Sequence, residues 1–176
     1  LLDTHTILWD FGDGETSSGI LNPTHTYADN GVYTATFSVT DNDKATSKQA
    51  VTIKVDNAAP VIKATSDRTS SVEGDAIKFN GSFTDLGILD THTILWDFGD
   101  GKTSSGVLNP TYIYADNGIY TATFSVTDND GSTSKQSLTI KVANAAPVVK
   151  ATSDRISVIE GDAIKFNGSF NDAGLL

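Results

Sequence analysis

Acidic and amide side chains at three places in this 176-residue sequence are candidates for binding a metal ion together. Two of the places are the loops Asp41-Asn42-Asp43 and Asp128-Asn129-Asp130, and the third is the pair Asp56-Asn57. Calcium prefers the oxygens of carboxylates, amides and carbonyls as ligands. The candidate calcium ligands are therefore Asp41, Asp43, Asp56, Asn57, Asp128 and Asp130. Their spacing is not that of an EF-hand loop, and a turn rich in Asp and Asn for backbone reasons is the alternative interpretation.

Two asparagines stand in N-glycosylation sequons, Asn80-Gly81-Ser82 and Asn167-Gly168-Ser169. The alternation of apolar and polar residues places both asparagines on the outward face of predicted strands, where a glycan could be attached. An unmodified asparagine is the alternative, because sequons are common by chance. Asn22 and Asn109 are not acceptors, because a proline follows each of them.

Histidines are the residues most suited to acid–base catalysis, but their surroundings do not predict an active site. His5 and His92 stand in polar lead-ins to predicted strands with no nucleophile signature nearby, and we interpret both as solvated turn residues. The pattern Gly99-x-Gly101 lacks the helix that a dinucleotide site requires. We therefore expect no catalytic site and no organic cofactor, and we predict that the chain is not an enzyme.

The stretch Trp96-Asp97-Phe98-Gly99-Asp100-Gly101 predicts a strand that runs into a hairpin. Ile94, Trp96 and Phe98 fall at period two, so we expect them to share the inward face of one strand. Asp100-Gly101 is a strong hairpin signal, because glycine adopts a positive φ without steric cost. We expect Trp96 and Phe98 to be buried against Phe79, Phe124 and Ile140.

Alternating apolar and polar residues predict several further short strands, with turn clusters between them. The clearest run is residues 120–127, and others lie at residues 61–66, 77–83 and 138–142. No segment has a sustained helical period. The pattern predicts an all-β protein with a β-sandwich.

The sequence repeats with a period of 87, the separation of Trp9 from Trp96 (96 − 9 = 87). We predict a complete domain at residues 58–144, with the later part of a domain at 1–57 and the opening part of another at 145–176. Leu175-Leu176 occupy the same repeat positions as Leu1-Leu2. We interpret the sequence as a window from a longer polypeptide of head-to-tail domains.

Composition excludes several classes of function. The chain has no cysteine, so it has neither a disulfide framework nor a thiolate metal site. Its formal net charge of −10 argues against nucleic acid and against anionic membrane surfaces as partners. No apolar run is long enough to predict a membrane span.

These motifs resemble those of the polycystic-kidney-disease (PKD) repeat family. The WDFGDG hallmark stands at Trp96 to Gly101 and at Trp9 to Gly14. A later pattern of Tyr followed by Gly-x-Tyr, with a strand that ends in Asp, runs from Tyr114 to Asp128 and from Tyr27 to Asp41. The resemblance implies an immunoglobulin-like β-sandwich that serves as an extracellular or cell-surface, non-catalytic spacer or interaction domain. Some domains of this kind bind calcium near their ends.

Our main hypothesis is a structural protein, a filament, fibre or surface stalk built head to tail from neighbouring copies of the domain. Near-identical repeats suit a structural element that spans a distance. The linker Asn144-Ala145-Ala146-Pro147 is short, and its proline restricts its flexibility. The alternative is a set of tandem accessory domains that bind or space within a secreted hydrolase, or a calcium-stiffened adhesin. A binding module would need an exposed aromatic row in each copy, but Tyr112 is matched by His25 in the first repeat.

Overall fold

The computed structural model describes residues 4–174, and every regular element in that range is a β-strand. Leu1, Leu2, Leu175 and Leu176, which contribute to the interpretation of the sequence as a periodic window, lie outside the described residues. The described residues divide into two compact units. Within residues 4–174, the first unit comprises 4–61, 84–92 and 127–134, and the second comprises 62–83, 93–126 and 135–174.

A four-stranded antiparallel sheet forms most of the first unit, in the order β2-β1-β3-β4. Its register pairs Trp9 with Phe37, and the centroids of the two rings lie 4.9 Å apart. One face of the sheet is open, since Leu21 and Val51 are exposed on the rim of the cleft that Trp9 lines. The strands are β1 (His5–Asp10), β2 (Thr16–Ser18), β3 (Gly31–Asp41) and β4 (Thr46–Val55).

Two sheets enclose the core of the second unit, as the sandwich prediction requires. The three-stranded sheet has the order β10-β7-β5, and the five-stranded sheet has the order β6-β12-β11-β8-β9. The strands are β5 (Val61–Ser66), β6 (Ser70–Val72), β7 (Ala76–Thr84), β8 (His92–Asp97), β9 (Thr103–Ser105), β10 (Thr111–Ile113), β11 (Gly118–Asp128) and β12 (Thr133–Ala143).

Aromatic rings from both sheets fill this core, and the predicted burial of Trp96 and Phe98 is confirmed. The exposed fraction of Trp96 is 0%, and its ring centroid lies 5.1 Å from that of Phe79 and 4.9 Å from that of Phe124. Ile140 is buried in the same cluster. Alternation along β7 and β11 directs these side chains inward. Residues two apart in the sequence therefore line the two inner faces of the sandwich.

A separate hairpin of β13 (Val148–Ser153) and β14 (Phe166–Asn171) follows the sandwich. Its aromatic side chains are exposed, with exposed fractions of 76% for Phe166 and 63% for Phe170. The same positions in the preceding repeat, Phe79 and Phe83, are buried and partly buried. The hairpin therefore presents an uncovered apolar face.

Candidate functional site

Three loops of the first unit bring acidic side chains together. The first is the turn before β3, the second is the β7–β8 connection and the third is the β11–β12 hairpin. Local hydrogen bonds shape the third, because Oδ1 of Asp128 accepts the N–H groups of Asp130 at 3.0 Å and Ser132 at 2.8 Å. Asp85 shapes the second in the same way by accepting the N–H of Gly87 at 3.2 Å. Short acceptor side chains commonly stabilise such turns.

One group of carboxylates consists of Asp85, Asp90 and Asp128, with ligand oxygens that lie within 4.8 Å of one another. This group is sheltered from solvent. The side chain of Asp85 is 4% exposed, and Asp128 as a residue is 5% exposed. Three carboxylates at this spacing repel one another unless a cation or a proton offsets their charge.

A second group shares Asp90 with the first. It consists of Asp29, Asp90 and Asp130, and its ligand oxygens also lie within 4.8 Å of one another. Asp130 is exposed, whereas Asp29 and Asp90 are half-buried. The second group is therefore closer to solvent than the first.

Asp90 is the least satisfied member of the cluster. Both of its carboxylate oxygens are buried, and neither has a hydrogen-bond partner among the residues that the structure describes. Burial raises the pKa of Asp90, and the nearby charges of Asp130, Asp85, Asp29 and Asp128 raise it further. An unpaired buried carboxylate is costly, and coordination of a metal ion removes that cost.

Neutral side chains complete the surroundings of the cluster. Nδ2 of Asn57 donates to Oδ2 of Asp128 at 2.8 Å and to Oγ of Ser132 at 3.0 Å. Burial alone would raise the pKa of Asp128, but hydrogen bonds from Asn57 and from backbone N–H groups lower it below the ordinary value. Lysine and arginine form no ion pair with these five aspartates within residues 4–174. The donor set is all oxygen and anionic, which fits a hard divalent cation such as calcium.

Comparison with known families identifies the fold that carries this cluster. A family profile described as the PKD domain matches residues 2–55 and 57–142, most of the chain. The chain belongs to the PKD domain family. The resemblance inferred from the WDFGDG motifs is confirmed, and so is the prediction of an immunoglobulin-like, non-catalytic domain.

Curated relatives of these PKD segments are much longer proteins. The chain is 30% identical over 135 residues to the pre-pro-metalloprotease PrtV of Vibrio cholerae, a match to 77% of this chain and 14% of that protein. It is 35% identical over 92 residues to the collagenase ColQ1 of Bacillus cereus, covering 52% of this chain and 9% of that protein. A solved PKD1 domain of PrtV is 34% identical, with a TM-score of 0.40, and the match covers 48% of this chain and 98% of that domain. The chain thus spans a small part of the curated relatives it matches.

The structure brings three of the six predicted calcium ligands to the cluster of the PKD tandem. Asp128 and Asp130 belong to the two carboxylate groups, and Asn57 donates to Asp128. Asp41 instead accepts the N–H groups of Asp43 and Ala45, both at 2.9 Å, within its own hairpin. Asp56 pairs with Nζ of Lys54 at 2.5 Å. Asp41, Asp43 and Asp56 therefore lie outside both groups.

Sequence reasoning missed three members of the cluster, Asp29, Asp85 and Asp90. Each stands in a loop with no other acid next to it, so none of them forms a local run of acids. A turn alone explains an aspartate at such a position. Their positions in the repeat offered a signal. The residues 87 positions from Asp29 and Asp85 are Asp116 and Asp172, so both acids recur.

The prediction that both strand-leading histidines are solvated turn residues is wrong for His92. This residue begins β8, its side chain is 13% exposed, and its Nε2 lies 2.8 Å from Oδ2 of Asp85. His92 therefore supports one of the cluster carboxylates. His5 begins β1 and is exposed.

His25 and Tyr112 occupy the same place in the two repeats and make the same two contacts. His25 stacks on Phe11 with centroids 3.9 Å apart, and its Nε2 lies 2.6 Å from Oδ2 of Asp13. Tyr112 stacks on Phe98 at 3.7 Å, and its hydroxyl donates to Oδ2 of Asp100 at 2.5 Å. The pair supports the WDFGDG hairpin and does not form an exposed aromatic row.

Both predicted glycan acceptors lie on exposed strand positions. Asn80 is on β7 with its side chain outward, and Asn167 is on β14. In the described part of the chain there is also no helix that could cross a bilayer.

Proposed function

We propose that this PKD tandem is a non-catalytic spacer and accessory segment of a longer extracellular hydrolase, with calcium bound at the aspartate cluster. The observation that carries the proposal is the alignment with PrtV, where 77% of this chain matches 14% of a protein named as a metalloprotease. Collagenases of Bacillus cereus and Vibrio alginolyticus match in the same way, over 9% and 11% of their lengths. Domains that form so small a part of a protease act beside its catalytic domain.

Calcium gives such a spacer a defined shape. The donor set of Asp85, Asp90 and Asp128 fits one cation, and the orphaned oxygens of Asp90 would become ligands. Because these residues come from two different loops, the ion would hold the loops together and stiffen the region around them. The segment would then set the distance between the domains on either side of it.

The test is a comparison of the native protein with a variant that lacks residues 58–144. We expect both forms to cleave a short soluble peptide at the same rate and the shortened form to cleave an insoluble protein substrate more slowly. A native polypeptide that carries this segment but has no hydrolase activity on either substrate would contradict the accessory role.

A filament is the second candidate, and the open apolar faces favour it. Phe166, Phe170 and Val149 are exposed on the β13–β14 hairpin, and Leu21 and Val51 are exposed on the first unit. Exposed apolar patches of this kind mark surfaces that another segment or another copy covers. Neighbouring copies that meet head to tail would bury them and generate an open array. Electron micrographs of native material separate the two candidates, since continuous filaments support the second and discrete particles support the first.

A further inference from the structure

We propose that the aspartate cluster binds two calcium ions, with Asp90 as the shared ligand, and that the second ion ties the first repeat to the second. The proposal rests on the calcium site of the proposed function and adds a second ion to it. Asp29 comes from residues 1–57, the predicted first domain, whereas Asp90 and Asp130 come from residues 58–144. All three lie in the first compact unit.

The spacing of the carboxylates is the first argument. Calcium binds oxygen at roughly 2.3–2.6 Å, so two ligands of one ion are separated by at most about 5 Å. The ligand oxygens meet this limit within Asp85, Asp90 and Asp128, and again within Asp29, Asp90 and Asp130, at 4.8 Å or less. The five carboxylates therefore form two overlapping groups rather than a single one, and each group has the size of one coordination shell.

The unpartnered oxygens of Asp90 are the second argument. Both are buried without a hydrogen-bond partner among the described residues, although the rest of the cluster is well supplied with donors. Asp128 accepts from Asn57, and Asp130 accepts from Asn30 at 3.2 Å. A carboxylate can bridge two cations through its two oxygens, and Asp90 stands where the two groups overlap.

Charge is the third argument. The cluster contains five carboxylates, and the groups that share it are the neutral amides of Asn30, Asn57 and Asn129 and the imidazole of His92 beside Asp85. One calcium ion offsets two of the five negative charges, whereas two ions offset four. A single ion would leave Asp29 and Asp130 facing each other without compensation.

The two sites should differ in affinity. Asp85 and Asp128 are almost fully buried, so an ion in the first group is shielded from water. Asp130 is exposed, so an ion in the second group keeps part of its hydration shell. The water ligands that it retains and its greater exposure to solvent make the second ion the weaker one.

Acids recur at the equivalent positions of the repeat. The residues 87 positions from Asp29, Asp85 and Asp130 are Asp116, Asp172 and Asp43. Asn57 likewise corresponds to Asn144, whereas Asp56 corresponds to Ala143. These acidic and amide residues of the cluster keep their type, and the neighbouring acid that does not take part changes.

The experiment is a calorimetric titration with CaCl2 of the full 176-residue chain, from which a chelator has first removed any metal. We expect two ions per chain, with the second binding more weakly. Asp29→Asn should reduce the number to one and leave the tighter site in place. Asp116→Asn is the matched control, because Asp116 has the same turn role in the next repeat and lies outside both groups, so it should leave two ions.

A second variant and a second readout keep the outcomes separate. Asp130→Asn should also remove only the weaker ion, and circular dichroism establishes that each variant is folded. One ion in the unaltered chain, unchanged by Asp29→Asn and by Asp130→Asn, would overturn the two-ion proposal and leave the calcium site of the proposed function intact. No binding at all would overturn both.

Discussion

Trp96 shows how one residue organises the sandwich. Its indole is enclosed by Phe79 and Phe124, and its Nε1 donates to the carbonyl of Leu108 at 3.1 Å. The ring therefore supplies a large apolar area without leaving its polar group unsatisfied. Trp9 makes the same hydrogen bond, to the carbonyl of Leu21, but lies at an open face.

We predict that Trp96→Ala lowers the free energy of unfolding of the second unit by about 3–5 kcal/mol, because it removes a fully buried ring and leaves a cavity. Trp9→Ala is the matched control and should cost less, since Trp9 is only partly buried. Urea denaturation followed by circular dichroism measures both. Equal costs for the two variants would contradict the assignment of Trp96 to a closed core.

Tyr114 makes the stability of the folded state depend on pH in the alkaline range. Its hydroxyl is buried and donates to the carbonyl of Phe98 at 2.9 Å, and burial raises the pKa of Tyr114 well above the ordinary tyrosine value. The folded state thus holds the phenol proton more tightly than the unfolded state. The stabilisation is complete below the ordinary pKa of about 10 and is lost as pH rises above it.

We therefore expect the free energy of unfolding to fall as pH rises beyond about 10. Tyr114→Phe should reduce the slope of that fall by the contribution of roughly one titrating proton. Denaturation curves at several alkaline pH values measure the slope. An unchanged slope in the Tyr114→Phe variant would show that other groups cause the decline. Tyr120, whose pKa burial also raises, would be the next group to test.

At the scale of elements, the WDFGDG hairpin depends on a close approach between two backbones. Gly99 has a φ of +81°, and a Cβ added there would stand 2.5 Å from the carbonyl oxygen of Thr121 in β11. Gly101 has a similar φ of +85°, but an added Cβ would meet open space. The first repeat has the same close approach, between the backbones of Gly12 and Thr34. The hairpin can lie on β11 only because Gly99 has no side chain.

We predict that Gly101→Ala costs about 1–2 kcal/mol, the strain of a left-handed backbone alone. Gly99→Ala should cost clearly more, because the backbone of the hairpin or of β11 has to move as well. Thermal unfolding of the two variants side by side separates strain from steric overlap. Similar melting temperatures would contradict the close approach.

At the scale of the whole molecule, equivalent residues have different surroundings in different repeats. Phe79 is buried between two sheets, whereas Phe166, 87 positions later, is largely exposed on a two-stranded hairpin. Outward positions are less affected, because a strand presents them to solvent whether or not its inner face is covered. Asn80 and Asn167 are exposed in this way.

We therefore predict that a host with N-glycosylation modifies both Asn80 and Asn167. Mass spectrometry of peptides from native material should find a glycan on each. Asn22 and Asn109 are internal controls, since the proline after each prevents modification. Unmodified peptides for Asn80 and Asn167 from a glycosylating host would contradict the prediction.

The sequence by itself determined the longer strands of the sandwich, its core and the family, but not the three-residue strands β6, β9 and β10. Alternation is a local property, because successive side chains of a strand point to opposite faces. Residues 120–127 therefore predicted the inward face of β11, including Phe124, without knowledge of its neighbours. Trp96 and Phe98 were predictable for the same reason.

Only the tertiary structure decided which acids lie together. Asp41-Asn42-Asp43 and Asp128-Asn129-Asp130 have the same local sequence, but within residues 4–174 only the second hairpin meets the loops of Asp29 and Asp90. A ligand set depends on distances between loops that are far apart in sequence, and those distances are set by how strands pair and pack. Local runs of acids therefore identified Asp128 and Asp130 but could not reveal Asp90, whose two unpartnered oxygens make it the centre of the cluster.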